Sequence, residues 1–349
     1  MHMADALISP AVGGTMWVVS GGLIAFCARK VQQSLRDNLV PMMGVLGAFI
    51  FAAQMINFSI PGTGSSGHLV GGLILAVLLG PYAAFLVIAS VLTVQAFFFA
   101  DGGLLALGCN MFNMGAFPIF IAFPLIYRPL TKGEYSTSRA WLAAIMAAVA
   151  GLQLGAMSVV LETTASGISE LPFKTFVLMM LPVHLAIGTV EGLATAAVVS
   201  FVARARPEAL SPDPAAGSSI PLRPVLIGLA LAAAVMGGVA SWFASTHPDG
   251  LEWSLAKATE GKDVSGPEAG LHKDLTHLQK KTAFLPDYGF KADGTGAKNV
   301  KENAPEPWPA VSAGTSVSGL VGGVLTLGLA SLVGFALKAH SSRRAPKTE

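Results

Sequence analysis

The chain opens Met1-His2-Met3, and these residues gather an unusual set of metal-binding atoms. A free α-amine, the backbone nitrogen of His2 once deprotonated, and the His2 imidazole can take three positions around one ion. One in-plane position stays open. A single further histidine would complete a plane of four nitrogens, a geometry that suits Ni(II) or Cu(II) and can admit Co(II). The first ten residues hold no basic n-region and no small-residue cleavage site, so the start reads as mature with Met1 retained. The competing expectation for a histidine at position 2 is a frayed terminus.

His68 is the candidate for the fourth nitrogen. It follows small residues and glycine in the run from Ile60 to Gly72, IPGTGSSGHLVGG, and an apolar stretch follows it. Such a loop can fold tightly inward and present an imidazole at the mouth of a helix bundle. Gln95, Asp101 and Asn110 cluster near the ends of two apolar runs and could orient His2 or His68 by accepting a ring N–H. Other polar residues within or beside apolar runs are Gln54, Asn57, Asn113, Gln153, His184 and Glu191. Such groups are costly in lipid and face the bundle interior. His184 and Glu191 share a helix face but lie roughly 10 Å apart, too far to hold one ion directly. Packing or energy coupling suits them better. The methionines at 42, 43, 55, 111 and 114 read as core filler rather than a soft-metal path. His247, His272 and His277 fall in a polar loop, where solvation accounts for them.

The elements that must position these residues are helices in a membrane. Of 349 residues, 53% are hydrophobic and 12% charged, against about 25% charged in an ordinary soluble domain. Apolar runs broken by Gly, Pro and charge give nine candidate spans, at 13–28, 40–57, 69–80, 82–100, 104–127, 139–161, 173–203, 224–245 and 316–337. The third is too short to cross about 30 Å as an upright helix. It is a half-span, or its border at Gly80-Pro81 is misplaced. The expected fold is all-α: a polytopic bundle of about seven spans, residues 1–203, then a cytoplasmic linker, 204–223, rich in Pro, Ser and Ala. A two-span unit, 224–349, follows, with an outer loop at 246–315.

Basic residues sort by side. Arg29, Lys30 and Arg36, then Arg128, Lys132 and Arg139, then Arg204, Arg206 and Arg223, then Lys338, Arg343, Arg344 and Lys347 fall on one side. The short loops opposite hold only Lys174. The positive-inside rule therefore puts the N-terminus and the 58–68 loop outside and the C-terminus in the cytoplasm. Cys27 and Cys109 then lie toward opposite faces, which argues against a disulfide. No Walker A run is present, so the chain does not itself hydrolyse ATP by P-loop chemistry. Nothing points to nucleic acid, to a prosthetic group or to enzymatic activity.

Four motifs in order resemble the CbiM/NikM substrate-binding components of energy-coupling-factor transporters: MHMADALISP at the start, GTGSSGHLVGG at 62–72, LTVQAFFFADGGLLALGCNMFNMG at 92–115 and HLAIGTVEGLATAAVV at 184–199. PDGLEW at 248–253, KTAFLPDYGF at 281–290 and GTSVSGLVGG at 314–323 resemble the small CbiN/NikN accessory protein, fused in cis. The resemblance implies uptake of Co²⁺ or Ni²⁺ across the cell (inner) membrane, with Met1, His2 and His68 as ligands. It also implies two kinds of partner, a transmembrane coupling subunit and cytoplasmic ATP-binding subunits, besides the membrane lipid. One departure is Asp101-Gly102-Gly103, where many members have His-Gly-Gly. The sequence does not choose between the two ions, because the nitrogen plane favours nickel and the family contains both. Rival expectations are a channel or proton-coupled permease, with His184 and Glu191 relaying protons, and an intramembrane metalloenzyme using His68 and Asp101.

Overall fold

Glycine, proline and turn chemistry cut the apolar chain into helices whose ends meet on one side of the molecule. A computed structural model describes residues 1–33, 38–133, 136–169, 171–205, 223–262, 264, 266–267, 269–291 and 308–344. Most of the expected linker, including Arg206, lies outside the described residues, as do Arg36, Lys347 and positions 292–307 of the expected outer loop.

The helices are α1 Pro10–Gln33, α2 Leu39–Gln54, α3 Gly72–Leu79, α4 Pro81–Phe99, α5 Leu107–Leu130, α6 Thr137–Ser166, α7 Phe173–Ala205, α8 Arg223–Gly238, α9 Gly250–Ala258, α10 Gly270–Thr282 and α11 Ala313–Arg344. Among the described residues, six are long and apolar enough to cross a membrane: α1, α4, α5, α6, α7 and α11. Helices α2 and α8 are apolar but have 16 residues each, about 24 Å of rise against a hydrocarbon core of about 30 Å.

The short third run resolves as a helix of eight residues, which rises only about 12 Å. Gly80 ends it with φ 78°, a value that favours glycine, and Pro81 starts α4 at the position where its missing N–H costs nothing. The break at Gly80-Pro81 is therefore real, and α3 is too short to cross alone.

One element departs from the all-α expectation. The run expected as span 40–57 stops at Gln54, and the chain enters a small antiparallel hairpin, β1 Phe58–Ile60 and β2 Ser65–Gly67, with Phe58 opposite Gly67. Gly62 and Gly64 turn it at φ 78° and 75°. Ser65, Ser66 and His68 are buried, and the chain runs from β2 through His68 into α3.

The C-terminal helices dock on α2 through small residues. Gly237 and Gly319 bring the backbones of α8 and α11 into contact. The Phe51 ring lies where a Cβ on Gly322 would stand, and Gly47 faces Thr326 and Ala330. Close approach of this kind is how helices associate where no water drives them together. Cys27 and Cys109 are both free and buried.

Candidate metal centre

The first nine residues are not a frayed end. Met1, Met3, Leu7 and Ile8 are buried in the main core. Each buried side chain of this size contributes roughly 1.5–3 kcal/mol, enough together to hold a terminal segment in place. Backbone contacts fix its register. The Met3 N–H donates to Asn110 Oδ1 at 2.8 Å, and the Met3 carbonyl accepts from Asn110 Nδ2 at 3.2 Å and from the Gly103 N–H at 2.9 Å. Asp5 accepts from the Ala106 N–H at 2.9 Å. It also fills the space a Cβ on Gly103 would need.

This segment sets His2 beside His68. The two rings are stacked, with centroids 5.1 Å apart and planes 20° apart. One ion with bonds of about 2 Å could reach a nitrogen of each ring at that spacing. A chain of amides determines which nitrogen of His2 carries hydrogen. The Val70 carbonyl can only accept, so Gln54 turns its Nε2 to it at 2.8 Å. Gln54 Oε1 then accepts from Gln95 Nε2 at 2.7 Å, and Gln95 Oε1 is left facing His2 Nε2 at 3.2 Å. His2 Nε2 is therefore the N–H, and Nδ1 is the nitrogen that can bind an ion or a second proton. His68 follows the same logic with its nitrogens exchanged. Its Nδ1 donates to the Leu69 carbonyl at 3.0 Å, which leaves the lone pair on Nε2.

The charges around these nitrogens come partly from the distant end of the chain. The Met1 ammonium pairs with Asp249 Oδ2 at 2.9 Å. Asp249 Oδ1 meanwhile accepts from the Glu252 N–H, and the Glu252 carboxylate returns a contact to the Asp249 N–H, a capping box that starts α9. Asp101 Oδ1 lies 3.3 Å from His2 Nδ1. Only a proton or a cation can occupy that line, since two facing lone pairs repel. The other Asp101 oxygen accepts from the Tyr288 hydroxyl.

Burial sets the proton affinities. It lowers the His2 imidazole, with Asp101 partly opposing it. It lowers His68 to about 4, helped by the nearby terminal ammonium and His2. Burial alone would raise the Asp249 carboxyl, but the Met1 ammonium outweighs it and holds the group well below the usual range. Both imidazoles are thus available as neutral donors at pH 7.

Of the residues singled out by sequence, Met1, His2 and His68 meet, and Gln95 and Asp101 touch the two nitrogens of His2. Asn110 corrects the expectation: it holds the Met3 backbone, not an imidazole. His272 corrects another, for it is buried rather than solvated and its Nε2 lies 2.9 Å from the Ile8 carbonyl. Among the described residues, no three His, Cys, Asp or Glu side chains form a metal-binding group. The candidate donors here are two imidazoles, an amine and an amide nitrogen. Sequence reasoning missed Asp249, Tyr288 and Gln279, which donates to the Ala96 and Gly102 carbonyls. The one local signal was the Asp249-to-Glu252 spacing, which marks a helix start and says nothing of Met1.

The family model for the cobalt uptake substrate-specific transmembrane region matches residues 2–209, and that for the PDGLE domain matches 223–339. The fused nickel transport protein NikMN of Rhodobacter capsulatus is 31% identical over 360 aligned positions, which cover 95% of this chain and 99% of that one. The cobalt transport protein CbiM of Sorangium cellulosum is 32% identical, covering 60% of this chain and 94% of its own. The crystal structure of a truncated transition metal transporter superposes with a TM-score of 0.52 at 28% identity, covering 59% of this chain and 99% of that one. The N-terminal three-fifths of this chain thus share sequence and fold with metal transport proteins, and the chain belongs to the CbiM family, with a PDGLE domain following in the same polypeptide.

Proposed function

We propose that this chain is the metal-binding membrane subunit of an ATP-driven importer of the energy-coupling-factor type, taking up Ni²⁺ or Co²⁺. The Met1 amine, the His2 amide nitrogen, His2 Nδ1 and His68 Nε2 are the ligands. The observation that carries this is the buried Met1 amine and the His2 ring, only 7% exposed, set against the buried His68, with each ring's other nitrogen already engaged. The names of the relatives, nickel and cobalt transport proteins, support the cargo class. A plane of four nitrogens favours Ni²⁺ on geometry.

Residues 1–203 form the metal-binding domain of about seven spans. Residues 204–223 are a cytoplasmic linker, and 224–349 a two-span accessory unit whose outer segment covers the site. The N-terminus faces outward and the C-terminus the cytoplasm, in accord with the distribution of basic residues. The chain is a transport subunit, not an enzyme. A transmembrane coupling subunit and cytoplasmic ATP-binding subunits supply the energy for release inward. Binding requires loss of protons from the amine and the amide, so affinity rises with pH.

Two variants test the ligand set. Residues added before Met1 displace the amine and should abolish uptake while membrane insertion persists. His68→Ala should weaken Ni²⁺ binding by more than the roughly 10–100-fold typical of changes outside the ligand set, measured by isothermal titration. Normal uptake by the extended chain, or unchanged affinity in His68→Ala, contradicts the assignment.

A further inference from the structure

Glu191 lies on α7, away from the nitrogens, and is fully buried. Its two carboxylate oxygens accept from consecutive backbone amides, Val70 N–H and Gly71 N–H, the latter at 2.8 Å. A buried carboxylate held this way is anchored to the backbone itself, so no rotamer change on the loop side can release it. Gly71 has φ 82°, and Ile50 stands 2.6 Å from where its Cβ would be, so the two amides are presented in a conformation that a larger residue would disrupt.

The same peptide is held from its other side. The Val70 carbonyl accepts from Gln54, and Gln54 leads through Gln95 to His2 Nε2. Val70 is two residues beyond His68. Both imidazoles thus converge on one short piece of backbone whose N–H side belongs to α7. One turn earlier on α7, Ile187 stands 2.5 Å from the position of a Cβ on Gly67 and 3.0 Å from one on Gly250. The α7 face through Ile187 and Glu191 therefore supports the residues just before and just after His68, and the start of α9 as well. Helix α7 packs along α6 and ends at Ala205, at the opposite end from the expected outer loops.

We infer that Glu191 is a positioning residue: it ties His68 and, through Gln54 and Gln95, His2 to α7, so that displacement of α7 opens the metal site. The inference rests on the ligand assignment proposed above. Glu191→Gln preserves shape but can accept from only one of the two amides, and its NH₂ meets the other. The purified full chain should fold with a somewhat lower thermal midpoint, lose about 10–100-fold in Ni²⁺ affinity, and release Ni²⁺ correspondingly faster in stopped-flow transfer to a chelator. The absorption band of the planar four-nitrogen Ni²⁺ complex at saturation should shift, which a general loss of stability would not cause. Wild-type affinity, release rate and spectrum in Glu191→Gln overturn the inference. If that variant does not fold, Gln54→Met frees the carbonyl side of Val70 and must show the same accelerated release; release at the wild-type rate overturns the inference equally. His68→Ala separates the two levels. If it binds Ni²⁺ as wild type does, the ligand assignment fails and this inference falls with it. If it loses binding while Glu191→Gln does not, the inference alone fails.

Discussion

The two parts of the chain meet at the same site and contribute different chemistry. Residues before 206 hold the proposed nitrogen donors, Met1, His2 and His68, and the amides that orient the two rings. Residues after 222 supply acid, hydroxyl and cover: Asp249 on the Met1 amine, Tyr288 on Asp101, Gln279 on the Gly102 carbonyl, His272 on the Ile8 carbonyl. They also complete the hairpin, since the Ser66 N–H donates to the Pro248 carbonyl at 2.8 Å and Trp253 Nε1 to the Thr63 carbonyl at 3.0 Å. On the proposed ligand set, the difference gives the C-terminal part a role in metal loading although it holds no ligand cluster. A buried ammonium needs a counter-charge, and the part of the chain before 206 places none within contact of Met1 among the described residues.

The sharpest way to break this division is to remove the second part. Deleting residues 224–349 should abolish most uptake in cells that also express the coupling and ATP-binding subunits, although every proposed ligand remains. Cutting the chain within 204–223 and co-expressing the halves should restore much of it, the outcome expected of a linker that serves to raise effective concentration. Full uptake by the truncated chain would make the cover dispensable.

A smaller change isolates the charge. Asp249→Asn leaves the Met1 ammonium buried without its partner, which should cost the metal-free protein about 3 kcal/mol, read as a lower thermal midpoint. Ni²⁺ should recover part of that loss, since a metal-bound amine carries no ammonium charge. An unchanged midpoint would show that the pair contributes nothing.

The mildest perturbation is acid. His68 ordinarily titrates near 6.5 and is held at about 4 in the folded protein. Below 6.5 the unfolded chain takes up a proton that the folded chain refuses until about 4. The His68 contribution to stability is therefore full above pH 6.5 and is lost as pH falls through that window, by about 1.4 kcal/mol per unit. The thermal midpoint of the metal-free protein should drop between pH 6.5 and 4, and His68→Gln should flatten the drop. A flat wild-type profile would mean that His68 is not buried as described.

The candidate donors could be picked out without coordinates. A histidine at position 2, and another inside a loop of small residues, stand out as candidates through residue type and position alone. So does the membrane class, because long apolar runs with few charges cannot fold in water. The eight-residue length of α3 was foreshadowed by Gly80-Pro81, since glycine and proline act within a turn of themselves. The partners were not legible. Met1 and Asp249 are 248 positions apart, and Glu191 stands 121 from Val70. Sequence reasoning passed over Asp249, which caps α9, and read Glu191 as a residue of packing or energy coupling. What tertiary structure decided was where their spare oxygens point. Hydrogen-bond direction along Gln54, Gln95 and His2 was likewise settled only when the Val70 carbonyl arrived beside Gln54, because a carbonyl can only accept and every amide behind it must turn to match.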